Sequence, residues 1–316
     1  MTPDPKIFIV IPAYRAEAAL PAVLQRIPER VSGIIVVDDC SPDSTVQVVE
    51  QCQRADDRIT LLCHTQNHGV GGAMQTGYRA ALELGADVMV KMDSDGQMDP
   101  AYLGQLIAPL LSGEADYAKG NRFLHEKALT KMPYLRRIGN LGLSFLTKAA
   151  SGYWNIFDPT NGYTAISAEA VRELNFDRLA NRYFFETSML LELGLQRLVV
   201  KDVYIPAVYG DEKSSLSISK SLFGFPPRLL RGMLRRILYF YFIRDFTAVT
   251  VFLLAGWTSV LFGAAWGGYH WWKSSQLQVA ASTGTVMIAI LPLIIGLQFL
   301  LQAVVMDIQN TPERRR

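Results

Sequence analysis

The sequence VMVKMDSDGQ, residues 88–97, contains an apolar run that ends in two carboxylates spaced one residue apart. Alternate side chains of a strand point the same way, so Asp93 and Asp95 at a strand end can offer oxygens to one divalent cation. Gln97 would add a third oxygen. Mg²⁺ or Mn²⁺ with few protein carboxylates is typical of sites where substrate phosphates complete the coordination shell. The stretch therefore predicts a metal–diphosphate site; the alternative is a polar turn rich in Asp, Ser and Gly.

The segments around this stretch alternate between β-branched runs and helical patterns. The predicted strands are 7–11, 33–37, 59–63 and 87–92, and the predicted helices include 17–27 and 71–84. Such alternation indicates an α/β fold with a mostly parallel sheet that binds ligands at the carboxyl ends of its strands. Those ends carry Pro12-Ala13-Tyr14, Asp38-Asp39, Asn67-His68-Gly69 and Asp93-Ser94-Asp95.

The glycine-rich piece at 69–74 enters a helix after a strand, as a phosphate loop would. It departs from the dinucleotide fingerprint at Met74, and the sequence has no Gly-Lys-Ser/Thr loop, which argues against an NAD enzyme or an ATPase. Two interpretations stay open for this piece: backbone amides near a nucleotide, or a structural helix start. Asp39 likewise could hydrogen-bond a nucleoside or cap the turn after it.

Composition limits the function classes. The 316 residues carry a net charge of +2, which gives no nucleic-acid signal. Cys40, Cys52 and Cys63 show no Cys-x-x-Cys spacing and are interpreted as reduced cytosolic residues. The four histidines show no ligand spacing, so we expect them at the surface or in turns.

The C-terminal part is far more apolar than the rest. Residues 247–268 and 280–306 contain no charged residue, and each run is long enough to span a bilayer core of about 30 Å at about 1.5 Å per residue. We predict transmembrane helices over about 247–270 and 280–304, joined by a link that holds Trp271 and Trp272 at the interface. A buried soluble hairpin is the alternative.

Residues 223–245 precede this hairpin and have helical periodicity. Apolar side chains including Leu230, Leu234 and Leu238 fall on one face, and the opposite face carries Arg228, Arg231, Arg235 and Arg236. The pattern predicts an amphipathic helix at a membrane surface; a helix packed on the protein with solvated arginines is the alternative. With the basic tail 307–316, the positive-inside rule places both termini in the cytoplasm.

Taken together, these motifs resemble the family 2 glycosyltransferases of the GT-A fold, over roughly residues 7 to 220. The branch they resemble is the polyprenyl-phosphate glycosyltransferases, such as dolichyl-phosphate mannose synthase and bacterial polyprenyl-phosphate glucosyltransferases. Arg15-Ala16 departs from the Asn-Glu that the family commonly has there. The resemblance implies that Asp93, Asp95 and Gln97 hold the metal. It implies that the nucleotide sugar is bound by Pro12, Ala13, Tyr14, Glu17, Asp39, Asn67, Gly69, Asp93, Ser94 and Glu186.

The resemblance also assigns the acceptor side. Gly120-Asn121-Arg122 resembles the Gly-Ser-Arg whose arginine approaches the acceptor phosphate, and Arg136 and Arg137 resemble a second basic position there. Residues 158–162 look like the Asp-x-x-Ser/Thr-Gly motif of the catalytic centre, with Asp158 as base or orienter; a structural turn is the alternative. Lys213 begins a polar stretch, either a mobile flap that reaches the acceptor phosphate or a plain linker.

We therefore expect a GT-A catalytic domain (1–222), an amphipathic segment (223–245), two transmembrane helices (246–306) and a basic tail (307–316). The expected reaction is inverting, Mg²⁺- or Mn²⁺-dependent transfer of a hexose, with glucose as the expected sugar, from a UDP-sugar to an undecaprenyl-type phosphate. It would take place at the bacterial inner membrane and serve cell-envelope glycosylation, and the apolar helices could pair between protomers as a homo-oligomer. The alternatives are a GDP-mannose-dependent mannosyltransferase, a processive polysaccharide synthase, and a non-catalytic membrane scaffold.

Overall fold

The computed structural model describes residues 4–121, 134–159, 161–206 and 218–314. The side chains of residues 134–141 and 218–223 lie outside this description. The chain forms two compact units, one made of Met1–Gly232 with Pro312–Arg316, and the other of Met233–Thr311.

One sheet organises the first unit. Its strands in the described residues are β1 (Ile7–Ala13), β2 (Gly33–Asp38), β3 (Ile59–Cys63), β4 (Val88–Lys91), β5 (Tyr117–Asn121), β6 (Thr164–Ser167) and β7 (Val200–Tyr204). They are arranged in the order β3-β2-β1-β4-β6-β5-β7. Strand β6 is antiparallel to β4 and β5, whereas the other neighbours pair in parallel. The predicted mostly parallel α/β sheet is therefore confirmed.

Helices cover both faces of this sheet. They are α1 (Leu20–Gln25), α2 (Thr45–Gln53), α3 (Val70–Glu83), α4 (Leu103–Leu111), α5 (Tyr134–Ser151), α6 (Ala168–Glu173) and α7 (Phe185–Gln196). Alternate residues of β1 enter opposite cores: Val10 packs with residues of α3 and α7, and Ile9 packs with residues of α1 and α4. Burial on both faces explains why the parallel strands are continuous apolar runs with no polar alternation.

Strand β4 is shorter than the sequence predicts. Its last ladder positions pair Lys91 with Val10 on one side and with Thr164 on the other. Asp93 and Asp95 follow the end of the strand, and Asp95 lies in a turn. The expectation that strand alternation aligns the two carboxylates is therefore wrong, because the ladders of β4 with β1 and β6 both end at Lys91, before Asp93.

The second unit is helical. Helix α8 (Ile218–Leu238) crosses the boundary between the units, and it is followed by a π-helical turn (Tyr239–Arg244), α9 (Ala248–Leu277) and α10 (Thr283–Gln309). Helices α9 and α10 have mean hydropathies of 1.8 and 2.4 and are long and apolar enough to cross a membrane. Helix α9 runs past the predicted end near residue 270, so Trp271 and Trp272 are helical, because no Gly or Pro lies between residue 270 and the C-cap Gln278.

Arg236 does not share the exposed position of its three neighbours. Arg228, Arg231 and Arg235 are exposed, but Arg236 is only 6% exposed. Its guanidinium donates to both carboxylate oxygens of Asp307, at 2.8 Å each, and Tyr241 donates to the same carboxylate at 2.6 Å. The prediction that all four arginines lie on one solvated face is wrong for Arg236, because helical periodicity does not reveal a distant carboxylate.

Candidate active site

A cavity of about 180 Å³ lies at the carboxyl ends of β1, β2 and β4. Because these strands are parallel, their ends meet at one edge of the sheet. The lining residues are Pro12, Ala13, Tyr14, Asp39, Val70, Ala73, Asp93, Ser94 and Asp95. The fold thus brings together residues predicted from three separate motifs. A larger cavity of about 520 Å³, lined by residues including Arg79, Phe176 and Arg178, contains none of the predicted site residues.

Asp39 connects this cavity to the 64–69 segment. Its carboxylate is buried and accepts hydrogen bonds from the backbone N–H of His68 (2.8 Å) and Gly69 (2.6 Å), while its carbonyl accepts from Asn67 (3.1 Å). His64 Nδ1 lies 2.8 Å from the same carboxylate, and His64 Nε2 lies 2.9 Å from the Thr76 hydroxyl. His64, expected at the surface or in a turn, lies in the loop that follows β3, with its side chain 13% exposed. Asp39 orients the loop that borders the cavity.

The backbone amides of the glycine-rich piece are used within the protein. Gly71 N and Gly72 N donate to the carbonyl of Asn181 at 2.8 and 3.3 Å. A Cβ on Gly71 would lie 2.0 Å from the carbonyl oxygen of Ala180, which explains the glycine by close backbone approach. These contacts favour the structural interpretation of this piece over direct phosphate binding.

Lys91 lies beneath the metal side of the cavity. Its side chain is 1% exposed, and Nζ lies 2.6 Å from Asp93 Oδ1 and 3.2 Å from Glu186 Oε1. Burial lowers the pKa of Lys91, but the carboxylates of Asp93 and Glu186 more than offset it and hold this pKa above its ordinary value. Lys91 therefore stays charged and links the predicted metal ligand to the predicted sugar-pocket residue.

The predicted metal ligands fit a hard cation only with help from a substrate. In the part of the chain that the structure describes, no three His, Cys, Asp or Glu side chains are grouped as a metal site. Asp93 and Asp95 both line the cavity, and Gln97 donates its backbone N–H to Asp95 at 2.9 Å. Two carboxylates and an amide are oxygen donors suited to Mg²⁺ or Mn²⁺, with diphosphate oxygens completing the shell.

The 157–161 loop places the predicted catalytic carboxylate. Asp158 is 5% exposed and has a φ of 49°, in the left-handed region that non-glycine residues rarely adopt. Lys119 donates to the carbonyls of Phe157 and Asp158, and Asp202 accepts from the Phe157 N–H. Burial raises the pKa of Asp202, and the nearby Lys119 ammonium opposes this shift.

The remaining predicted residues are less closely grouped. Glu17 is exposed, is not among the residues that line the cavity, and accepts from Ser44 N at 2.8 Å. Arg122 and Lys213 lie outside the described residues, as does His125. Arg136 and Arg137 belong to α5, but their side chains also lie outside the description.

Sequence reasoning missed Lys91, Lys119 and Asp202. A signal was available, because each lysine belongs to a short strand whose other residues are mostly small or apolar. A lysine in such a strand is almost never fully buried unless it is paired. The partners could not be found this way, because Glu186 and Asp202 lie 95 and 83 residues further along the chain.

The fold, with its strand-end cavity, is of the GT-A type. The crystal structure of M. tuberculosis glucosyl-3-phosphoglycerate synthase aligns with a TM-score of 0.52 at 20% identity, covering 74% of this chain and 81% of that one. The same enzyme in complex with Mn²⁺, UDP and glucosyl-3-phosphoglycerate aligns with a TM-score of 0.51, over 74% of this chain and 80% of that one. At 20% identity this likeness establishes the fold alone.

The chain belongs to glycosyl transferase family 2, whose model matches residues 8–174. A UDP-N-acetylglucosamine–dolichyl-phosphate N-acetylglucosaminyltransferase from Methanococcus voltae is 32% identical over 219 residues, 65% of this chain and 87% of the relative. An undecaprenyl-phosphate mannosyltransferase from Micrococcus luteus is 30% identical over 216 residues, 66% of this chain and 88% of the relative. The family predicted from the motifs is confirmed, and the protein is a glycosyltransferase.

Proposed function

We propose that this protein transfers a hexose, with inversion, from a UDP-sugar to a polyprenyl phosphate of the undecaprenyl type. The observation that carries the proposal is the single cavity in which strand-end residues of three motifs meet. Its relatives from M. voltae and M. luteus are named for transfer to dolichyl and undecaprenyl phosphate. Glucose is the sugar we expect first, and N-acetylglucosamine and mannose are the sugars named for those relatives.

The donor side follows from the cavity. Pro12, Ala13 and Tyr14 form one wall for the nucleoside, and Asp39 fixes the Asn67–Gly69 border. Asp93, Asp95 and Gln97 would hold Mg²⁺ or Mn²⁺, which stabilises the negative charge of the leaving diphosphate. Glu186, held near Asp93 through Lys91, is positioned to contact the sugar.

The acceptor needs charge neutralisation more than a strong base. A phosphate monoester has a second pKa of about 6, so at neutral pH it is largely a dianion and already nucleophilic. One of its oxygens attacks the anomeric carbon as the bond to UDP breaks, and Asp158 orients the acceptor. Arg122, Arg136, Arg137 and Lys213 are the basic residues that we expect to neutralise the acceptor phosphate.

The membrane association follows from the second unit and α8. Helices α9 and α10 are long and apolar enough to span a bilayer. Leu230, Leu234 and Leu238 of α8 are exposed, as are its arginines Arg228, Arg231 and Arg235, a combination suited to an anionic lipid surface. We propose a bacterial plasma-membrane protein with its catalytic unit and both termini in the cytoplasm.

The test is transfer of radiolabel from UDP-glucose, UDP-N-acetylglucosamine or GDP-mannose to undecaprenyl phosphate in liposomes. We expect an organic-extractable product that mild acid releases, as a glycosyl phosphate would be, and none with undecaprenol, which lacks the phosphate. A donor preference for GDP-mannose would correct the nucleotide and the sugar. Efficient transfer to a water-soluble acceptor alone, a growing polymer, or no turnover of any nucleotide sugar would overturn the proposal.

The role of α8 can be measured in the same assay. Replacing Arg228, Arg231 and Arg235 by Gln should lower transfer in anionic liposomes, because each basic residue contributes about 1 kcal/mol to docking at such a surface. The loss should shrink as salt rises, and nucleotide binding in detergent should be unchanged. An equal loss in neutral and anionic liposomes would contradict an electrostatic role.

A further inference from the structure

We propose that Lys119 is a positioning residue of the reaction, and that with Asp202 it holds the backbone around Asp158 in its left-handed conformation. We call this pair the Lys119–Asp202 clasp. The inference rests on the proposed function, in which Asp158 is the carboxylate that orients the acceptor.

Lys119 holds the loop through its carbonyl groups. It lies in β5 and is 1% exposed, and its ammonium donates to the carbonyl of Phe157 at 2.7 Å and to that of Asp158 at 2.5 Å. An ammonium has three donors and no acceptor, so it can serve two carbonyls and still face a carboxylate. That carboxylate is Asp202, whose Oδ1 lies 3.5 Å from Nζ.

Asp202 holds the same loop through a backbone N–H group. Lys119 and Asp202 are register partners on the parallel strands β5 and β7, so the sheet fixes their separation. Asp202 Oδ2 accepts from the Phe157 N–H at 2.7 Å and from the Asn121 side chain at 2.9 Å. The Phe157 residue is thus held by its N–H and by its carbonyl, and Asp158 by its carbonyl.

These hydrogen bonds act at the residue whose backbone conformation is least favourable. A non-glycine residue with a positive φ is disfavoured by steric clash and persists only where the surroundings hold it. Asp158 has a φ of 49° and is buried, and its carbonyl also accepts from Asn161 N at 3.1 Å. A buried ammonium is a costly way to fill a sheet position that an apolar side chain could fill. An apolar side chain could not donate to the two carbonyls, as the ammonium does. This indicates that the role of Lys119 is to hold the geometry of the loop.

The first experiment is steady-state transfer by Lys119→Met, with Lys148→Met as the matched control. Lys148 lies beside the same loop, donating to the Trp154 carbonyl at 3.1 Å and lying 4.0 Å from the centre of the Phe157 ring, but within the described residues it donates to neither of the carbonyls that Lys119 holds. We expect Lys119→Met to lower kcat about 10- to 100-fold, as misplacing a reacting group does, with the KM for the nucleotide sugar within about twofold of wild type. Lys148→Met should change kcat by less than about threefold.

A double-mutant cycle distinguishes positioning from general support of the fold. In an Asp158→Asn background, where the carboxylate is already lost, Lys119→Met should lower kcat by less than about twofold further, because coupled residues are not additive. A loss of the same size in both backgrounds would overturn the proposal, as would a kcat equal to that of Lys148→Met or a defect confined to nucleotide binding. If Lys119→Met does not fold, Asp202→Asn takes its place. For that variant we expect a smaller fall in kcat than for Lys119→Met, and a KM for the nucleotide sugar that is again unchanged.

The clasp is also measurable without turnover. Hydrogen exchange of the backbone amides of Phe157, Asp158 and Asn161 should be at least about tenfold faster in Lys119→Met than in wild type, and unchanged in Lys148→Met. If the wild-type protein makes no lipid-linked sugar, the proposed function fails. The exchange rates would still show whether the Lys119–Asp202 clasp holds the backbone around Asp158. Unchanged exchange at these amides in Lys119→Met would overturn it.

Discussion

Among the described residues, the first unit buries two lysines and the second buries an arginine, and the partners of these cations differ. Lys91 and Lys119 lie on strands and bind carboxylates and carbonyls of loops that border the site. Arg236 of α8 binds Asp307 of α10 through two contacts of 2.8 Å, and Tyr241 completes the cluster. A guanidinium fork fits one carboxylate in two places, whereas an ammonium can be shared among several acceptors in different directions.

This difference separates two uses of buried charge. In the first unit, the lysines fix the loops that carry Asp93 and Asp158 and contact Glu186 in the first turn of α7, so their loss should appear in the activity. In the second unit, the Arg236–Asp307 pair joins two helices, so its loss should appear in the free energy of unfolding.

The largest expected effect is on turnover, for Asp93→Asn. Loss of a main electrostatic stabiliser typically costs about 10²- to 10³-fold in kcat, and Lys91 retains Glu186 as a partner, so we expect the fold to persist. Asp99→Asn is the matched control, because Asp99 contacts Arg26 and Ala101 N and does not line the cavity. Activity should be measured with and without EDTA; full activity of Asp93→Asn in excess EDTA would contradict the metal role.

The next effect concerns stability, for Asp307→Asn. This change leaves the Arg236 charge buried with a weaker partner, and breaking a buried pair costs about 3–5 kcal/mol. Unfolding in detergent measures it, with the exposed Asp245→Asn as control. The combination Arg236→Met with Asp307→Leu should recover much of the loss, because no charge is left buried. Lost transfer at unchanged stability would show that this pair also serves the site.

A smaller loss is expected where α9 and α10 pack closely. A Cβ on Gly296 would lie 2.8 Å from the Gly256 carbonyl and 2.8 Å from the Val260 side chain, so Gly296→Ala should cost about 1–3 kcal/mol by overpacking. Gly268→Ala is the matched control, since a Cβ there has no described heavy atom within 4 Å. Equal stability of the two variants in a detergent unfolding assay would contradict close packing at Gly296.

The smallest effect is expected at the partly exposed Asp56–Arg58 pair. The hydrogen bond from Arg58 lowers the pKa of Asp56, so the pair contributes stability above the unfolded pKa of about 3.9. That contribution is lost as the pH falls through the folded pKa. Asp56→Asn should therefore cost under about 1 kcal/mol at pH 7, and the difference from wild type should vanish in acid. Asp57→Asn is the control. A larger destabilisation by Asp56→Asn at low pH than at pH 7 would contradict the expected direction of the pH dependence.

Local patterns predicted much of this molecule. Five β-branched or apolar residues followed by Pro12 specified β1, and the same kind of run specified β2 and β3. The carboxyl ends of β1, β2 and β4, read as motifs, supplied most of the cavity lining. This worked because hydrophobic periodicity is local and because parallel strands necessarily align their ends.

The predictions failed where a distant partner decided the outcome. Strand β4 ends at Lys91 because the ladders with β1 and β6 end there, and β6 lies more than 70 residues further along the chain. His64 was expected at the surface or in a turn, and its place in a loop agrees, but its contacts with Asp39 and Thr76 come from other elements and had no local signal. Arg236 was expected to be solvated, but Asp307, 71 residues away, buries and pairs it.

The sequence by itself determined the α/β class, the strand ends that carry the site, the two long apolar helices and the family of the enzyme. Only the tertiary structure decided which charges are buried and what they hold. The reason is physical: backbone periodicity depends on neighbours in the chain, whereas a buried charge is stable only when long-range packing delivers its partner. Lys91, Lys119 and Arg236 each found a carboxylate on another element, and these pairs set the site loops and the helix contact that no local pattern contains.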